Sequence, residues 1–206
     1  MAEYYYLIAQ LPYLRYGQKP PMSSVSFLEM AGSFMNRTDA KLMKQLTLDP
    51  SIDLAKYIEK GSLSVKTGCE FIDNWLKWEC AISLNLARYR SLKLYNESQI
   101  SDPVVVPVEA YTSATQVFTQ DGSPLDGELL LDKARWDIID SMISTDYFNR
   151  NIVYAYYLKL LLMERRQIFN DIEIGFSEYK SLYAQIMERP RESNENSGIN
   201  STGEMK

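Results

Sequence analysis

The stretch from about Gly68 to Leu94 carries large apolar side chains at intervals of four and three residues, and this spacing constrains the fold most strongly. The apolar positions are Phe71, Trp75, Trp78, Ile82, Leu86 and Tyr89. Residues three and four apart lie on the same face of an α-helix, so the pattern predicts a long amphipathic helix. Such a helix must bury its apolar side against other elements.

Capping residues, apolar spacing and breaks predict further helices on both sides of this one. The opening segment Tyr4–Ala9 is either a short buried helix or an extended segment. Three further helices are predicted before the long one: the first starts at Ser23 or Ser24, the second starts near Asp39, and the third spans Ser51–Gly61. Three more are predicted after it: one starts at Pro124, one spans Ile152–Phe169, and the last spans about Phe176–Ile186. Ile152–Phe169 is apolar on more than one side, which is typical of a central helix.

These elements predict an all-α multi-helix bundle with few or no strands. We expect a single helical domain over residues 1–187, or two helical subdomains at about 1–97 and 124–187. In either case residues 98–123 form an irregular segment, in which Val104–Val106 is extended. Residues 188–206 contain few large apolar side chains, which predicts a disordered tail.

The chain of 206 residues contains no histidine. This excludes Ser-His-Asp and Cys-His nucleophile systems, HExxH metal sites and a histidine general base. The two cysteines, Cys69 and Cys80, are too few for a cysteine-rich zinc site. The formal net charge of −5 argues against a nucleic-acid partner.

The sequence lacks the features of membrane insertion and export. No apolar run approaches the roughly 18 residues of a transmembrane helix, and Met1–Leu14 does not have the pattern of a signal peptide. We therefore expect a cytoplasmic protein without a direct transmembrane span.

Acidic residues on the helix that starts at Pro124 give the one catalytic alternative. Asp132, Asp137 and Asp140 lie on this helix, and Asp137 and Asp140 are spaced to bind one Mg²⁺ through oxygen ligands. All-α enzymes that ionise diphosphates use two facing clusters of this kind, and the sequence shows no second cluster. A solvated face interleaved with Lys133 and Arg135 is the favoured interpretation.

Charged residues also occur inside otherwise apolar helices. Glu79 lies on the long helix with Arg88 and Arg90, and Glu164 precedes Arg165 on the central helix. Such groups usually pair across helices or extend to solvent, which indicates a role in packing or at an interface.

Three stretches carry a resemblance to a known family. They are Tyr4–Pro12 with the following Lys19-Pro20-Pro21, Leu129–Asp137, and Ile152–Leu160 with Glu164-Arg165-Arg166. Together they resemble an uncharacterised bacterial family encoded within V-type ATP synthase operons. That family is similar to the central-stalk subunit of V/A-type ATPases that is known as d-type in the vacuolar enzymes.

This d-type subunit also has a recurring helix with an Asn-Leu pair followed by a basic pair. One copy of this helix is resembled by the stretch from Trp78-Glu79 through Asn85–Arg90. A second copy, without the Asn-Leu pair, is resembled by Leu158–Arg165. The chain has room for about two of the three helical subdomains of the d-type subunit.

The resemblance implies a non-catalytic subunit that links the membrane rotor ring to the central shaft, or that assists their assembly. Its partners are then other V/A-type ATPase subunits, and it lies at the cytoplasmic face of the membrane through them. The candidate contacts are Tyr4, Tyr5, Tyr13, Tyr16 and the Val104–Val106 region.

Two alternatives remain: a helical scaffold of another complex, and a Mg²⁺-dependent all-α enzyme that uses Asp132, Asp137 and Asp140. We assign no catalytic, cofactor-binding or metal-binding residue.

Overall fold

A computed structural model describes residues 4–48, 58–59, 62–95, 107–120, 122–143, 148–169, 179–184 and 187. The helices are α1 (Tyr5–Gln10), α2 (Ser24–Phe34), α3 (Arg37–Met43), α4 (Glu70–Tyr95), α5 (Val108–Thr119), α6 (Pro124–Met142) and α7 (Arg150–Phe169). Residues 179–184 are also helical. The fold is all-α, as predicted, with one minimal strand pair.

That strand pair corrects part of the helix predicted over Ser51–Gly61. Strands β1 (Ile58–Glu59) and β2 (Ser62–Leu63) pair antiparallel, with Ile58 opposite Leu63. The backbone groups of Ile58 and Glu59 therefore bond across to a neighbouring strand instead of along a helix. Residues 51–57 lie outside the described residues.

Helix α5 corrects the irregular segment predicted over residues 98–123. Its sequence is rich in threonine and serine, which have low helix propensity. In the structure Thr112, Ser113, Thr115 and Thr119 donate their hydroxyl hydrogen bonds to carbonyls one turn earlier. The buried, small side chains of Ala110 and Ala114 let α5 pack between α4 and α6. Val104–Val106 lies outside the described residues.

Side chains at the helix starts fix where the neighbouring helices begin. Ser23 caps α2, and Asn36 caps α3 by accepting the backbone N–H of Asp39. Ser123 and Asp126 form a reciprocal capping box at the start of α6, where Pro124 is the first helical residue.

The core lies around α4 and α7. Phe71, Trp75, Trp78 and Ile82 of the predicted stripe are buried, and Ile72 and Leu76 on the adjoining face are buried as well. Helix α7 is buried along most of its length, which confirms its prediction as a central helix. The rings of Phe71 and Tyr154 join α4 to α7 with centroids 6.2 Å apart.

The chain divides into two compact units, Met1–Gln167 and Ile168–Lys206. The division does not fall within residues 98–123, the segment expected to join two subdomains. The first unit contains the core described above. In the second, the Tyr179 and Tyr183 rings stack with centroids 6.2 Å apart.

The predicted tail, residues 188–206, lies outside the described residues. Within the residues that are described, no helix combines the length and apolarity needed to cross a membrane.

Candidate functional site

The three aspartates proposed as magnesium ligands have separate environments. Asp132 is 0% exposed and accepts a hydrogen bond from Arg135, whereas Asp137 and Asp140 are about half exposed. Asp137 pairs with Lys133 one turn earlier, and Asp140 pairs with Lys159 of α7. Among the described residues, no three Asp, Glu or Cys side chains are grouped to hold a metal ion.

Asp132 instead belongs to a buried ion-pair network that connects α4, α6 and α7. The network comprises Glu79, Glu128, Asp132, Arg135 and Arg165. Arg135 donates from Nε to Glu79 Oε1 at 2.6 Å and from Nη2 to Glu79 Oε2 at 3.3 Å. It also donates from Nη1 to Asp132 Oδ1 at 3.0 Å. Arg165 Nη1 lies 3.5 Å from the same Asp132 oxygen, and Arg165 also bonds Glu128.

Among the described residues the charges of this network do not balance, because three carboxylates face two guanidinium groups. Asp132 Oδ2 is buried without a hydrogen-bond partner among the described residues. Burial raises the pKa of Asp132, and the nearby Arg165 and Arg135 only partly offset this effect. For Arg135, burial lowers the pKa, but Glu79 and Asp132 outweigh burial, so the net pKa is raised and the guanidinium stays charged.

The network's geometry suits helix positioning. A bidentate guanidinium–carboxylate pair fixes both the distance and the relative orientation of the two helices that carry it. Glu79 therefore pairs across helices, as predicted. Glu164 also does so, because its Oε1 accepts the backbone N–H of Ser24 at 2.6 Å, at the start of α2.

A second polar cluster surrounds Asp39 and holds α3 against α7 and the N-terminal segment. The Tyr4 hydroxyl donates to Asp39 Oδ2 at 2.7 Å, and Arg150 Nη1 donates to Oδ1 at 3.0 Å. Tyr154 donates to the Asp39 carbonyl at 3.1 Å. Burial and the bond to Asp39 raise the pKa of Tyr4 to about 12, so its hydroxyl remains a donor at neutral pH.

The four tyrosines predicted as partner contacts fall into two groups. Tyr4 is buried in the Asp39 cluster, and Tyr16 is half-buried with its ring 5.5 Å from that of Trp136. These two tyrosines stabilise the fold. Tyr5 is about half exposed, and Tyr13 is 84% exposed.

We give the name N-terminal surface to four exposed side chains of the segment from residue 5 to residue 15. It consists of Tyr5, Tyr6, Tyr13 and Arg15. Tyr6, which was not among the predicted contacts, is 81% exposed on α1. The exposure of Tyr6 could have been predicted from its position next to Leu7, because adjacent residues of a helix point to different faces and Leu7 is buried. Tyrosine and arginine are the residue types that most often contribute strongly to protein–protein binding.

No protein-family model, curated protein or solved structure matches this chain. The function proposed below therefore rests on the two polar clusters, the N-terminal surface and the resemblance described from the sequence.

Proposed function

We propose that this protein is a non-catalytic central-stalk or assembly subunit of a V/A-type ATPase. It links the membrane rotor ring to the central shaft by protein–protein contacts, and it reaches the cytoplasmic face of the membrane through those partners. The resemblance of the N-terminal, α6 and α7 sequences supports the choice of this complex.

The N-terminal surface is the observation that carries the proposal of partner binding. Large aromatic side chains are normally buried on folding, because leaving them in water forfeits about 1.5–3 kcal/mol each. Here Tyr6 and Tyr13 remain more than four-fifths exposed although the segment that carries them is well anchored. Exposed aromatics on an anchored segment are typical of a surface that a partner covers.

The two polar clusters support a mechanical role. Their charged groups contact one another across helices, so each helix is held by directional bonds in addition to apolar packing. A bundle held in this way resists relative movement of its helices under load. A torque-transmitting subunit requires this property.

The test is affinity purification of the full-length tagged protein from native membranes, under conditions that keep rotary ATPases intact. We expect rotor-ring or shaft subunits to co-purify with the wild-type protein. The double variant Tyr6→Ser, Tyr13→Ser, which changes the two rings that are more than four-fifths exposed, is expected to lose them without a change in melting temperature. Lys41→Glu, an exposed change on α3, is the control and retains them.

Recovery of a stable complex that contains no ATPase subunit would reject the proposal. That result would favour the alternative of a helical scaffold in another complex. Loss of the partners in the Lys41→Glu control as well would indicate that the N-terminal surface is not specifically responsible.

A further inference from the structure

Side chains of residues 13–16 alternate between outward and inward positions. Tyr13 and Arg15 are exposed, Leu14 is buried, and Tyr16 is half-buried. Because Leu14 between them is buried, Tyr13 and Arg15 both lie on the side of the segment that faces away from the core.

Hydrogen bonds on both sides of this pair hold the segment in place. The Tyr156 hydroxyl donates to the Pro12 carbonyl at 3.0 Å, and the Tyr16 hydroxyl donates to the Leu129 carbonyl at 3.0 Å. The guanidinium of Arg166 also lies 4.9 Å from the centre of the Tyr16 ring. A segment fixed in this way loses little conformational entropy when a partner binds.

A cavity of about 270 Å³ opens beside Tyr13. The lining is mostly apolar and consists of Ile8, Leu11, Pro12, Tyr13, Leu14, Ile143, Ile152, Ala155, Tyr156 and Lys159. Pockets for drug-sized molecules span about 300–1,000 Å³. A smaller apolar cavity at a surface suits one large apolar side chain of a partner.

The N-terminal segment that supplies part of the cavity lining is basic although the whole chain carries −5. Residues 4–28 contain Arg15 and Lys19 and not a single Asp or Glu. Lys159 in the cavity lining is paired with Asp140, whereas Arg15 is exposed and directly follows the lining residue Leu14. Charge complementarity therefore selects a partner segment that is acidic next to its apolar anchor.

We propose that the cavity beside Tyr13 binds a short segment of a partner protein, with an apolar side chain inserted in the cavity and a neighbouring carboxylate against Arg15. The Tyr13 ring covers the inserted side chain. This inference rests on the proposed function, which requires a protein partner, and it specifies the chemistry that the partner presents.

The test uses a library of random heptapeptides displayed on phage and selected on the immobilised full-length protein. We expect the selected peptides to combine Leu, Ile, Phe or Trp with an Asp or Glu within two positions. In titrations of a selected peptide, Arg15→Glu weakens binding about tenfold or more, since charge reversal replaces attraction by repulsion. Tyr13→Ala weakens binding about tenfold, as expected for the loss of an aromatic contact at a binding centre.

Two matched variants control for unspecific effects. Lys41→Glu makes the same charge reversal on α3, and Phe34→Ala removes an exposed ring on α2 that is outside the cavity lining. Both are expected to bind the selected peptide within about twofold of wild type. All four variants alter exposed residues, and their melting temperatures are compared with wild type to confirm folding.

Three results would overturn the inference: no enriched peptides, enriched peptides without acidic residues, or binding that Arg15→Glu leaves unchanged. None of these results bears on the co-purification of ATPase subunits. Conversely, selection of acidic peptides that depend on Arg15, together with absence of ATPase subunits from native complexes, would reject the proposed complex and retain the binding site.

Discussion

Replacement of Arg135 by methionine tests whether the buried ion-pair network holds α4 and α6 together. The variant keeps an unbranched apolar stem in the core but removes both bonds to Glu79 and the bond to Asp132. Asp132 retains Arg165 at 3.5 Å. The side chain of Glu79 is only 8% exposed, and the described residues give it no other cation.

The expected loss of stability follows from this imbalance. Breaking a buried ion pair by removing one partner costs about 3–5 kcal/mol, because the remaining charge stays buried without compensation. The first compact unit spans Met1–Gln167. For a unit of this size each kcal/mol corresponds to roughly 2–4 °C, so the melting temperature should fall by about 6–20 °C.

Urea and thermal unfolding followed by circular dichroism measure this loss. Lys133→Met is the matched control, because it removes a cation from an exposed pair on the same helix and should cost less than about 1 kcal/mol. The double variant Glu79→Leu, Arg135→Met removes the unpaired charge as well and should recover part of the loss. A cost below about 1 kcal/mol for Arg135→Met, or a double variant less stable than the single one, would show that this network does not hold α4 and α6 together.

Three further predictions concern single side chains. Burial raises the pKa of Asp132, so the stability that this residue contributes is lost as the pH rises through the raised pKa. Asp132→Asn should therefore gain stability relative to wild type between about pH 4 and pH 7. A difference in unfolding free energy between variant and wild type that narrows over this range in urea unfolding would contradict a raised pKa. Ser123→Ala removes the N-cap of α6 and should cost about 1 kcal/mol in thermal unfolding, and an unchanged melting temperature would show that the capping box contributes little. Tyr4→Phe removes a hydrogen bond to the Asp39 carboxylate and should lower the free energy of unfolding by about 1.5–3 kcal/mol. Tyr6→Phe changes an exposed residue and should have no measurable effect on stability. Equal effects of the two variants would argue against the Asp39 cluster.

Long periodic helices were predictable because their spacing reflects burial directly. The stripe from Phe71 to Tyr89 and the broadly apolar Ile152–Phe169 both correspond to helices that form the core. Helix α5 was not predictable in the same way, since its Thr and Ser content favours other local structures. Its helical state depends on packing against α4 and α6, in which Ala110 and Ala114 are buried.

The ion-pair network was predictable only in part. Glu79 stood out as a charge within an apolar helix, but its partner Arg135 lies 56 residues further along the chain. Asp132 and Arg135 are spaced like an ordinary solvated pair on one helix, and only the packing of α4 and α7 around them makes the pair buried. Likewise, no local pattern distinguishes the buried Tyr4 from the exposed Tyr13, because their difference depends on which of them reaches Asp39.

Photo-crosslinking from position 13 tests the central claim most directly. Benzoylphenylalanine replaces Tyr13 in the full-length protein expressed in its native cells, and the control carries the same group in place of Lys41 on α3. We expect cross-links from position 13 to a rotor-ring or shaft subunit of a V/A-type ATPase, and none to these subunits from position 41. Cross-links from position 13 only to proteins outside the ATPase, or none at all, would contradict this claim.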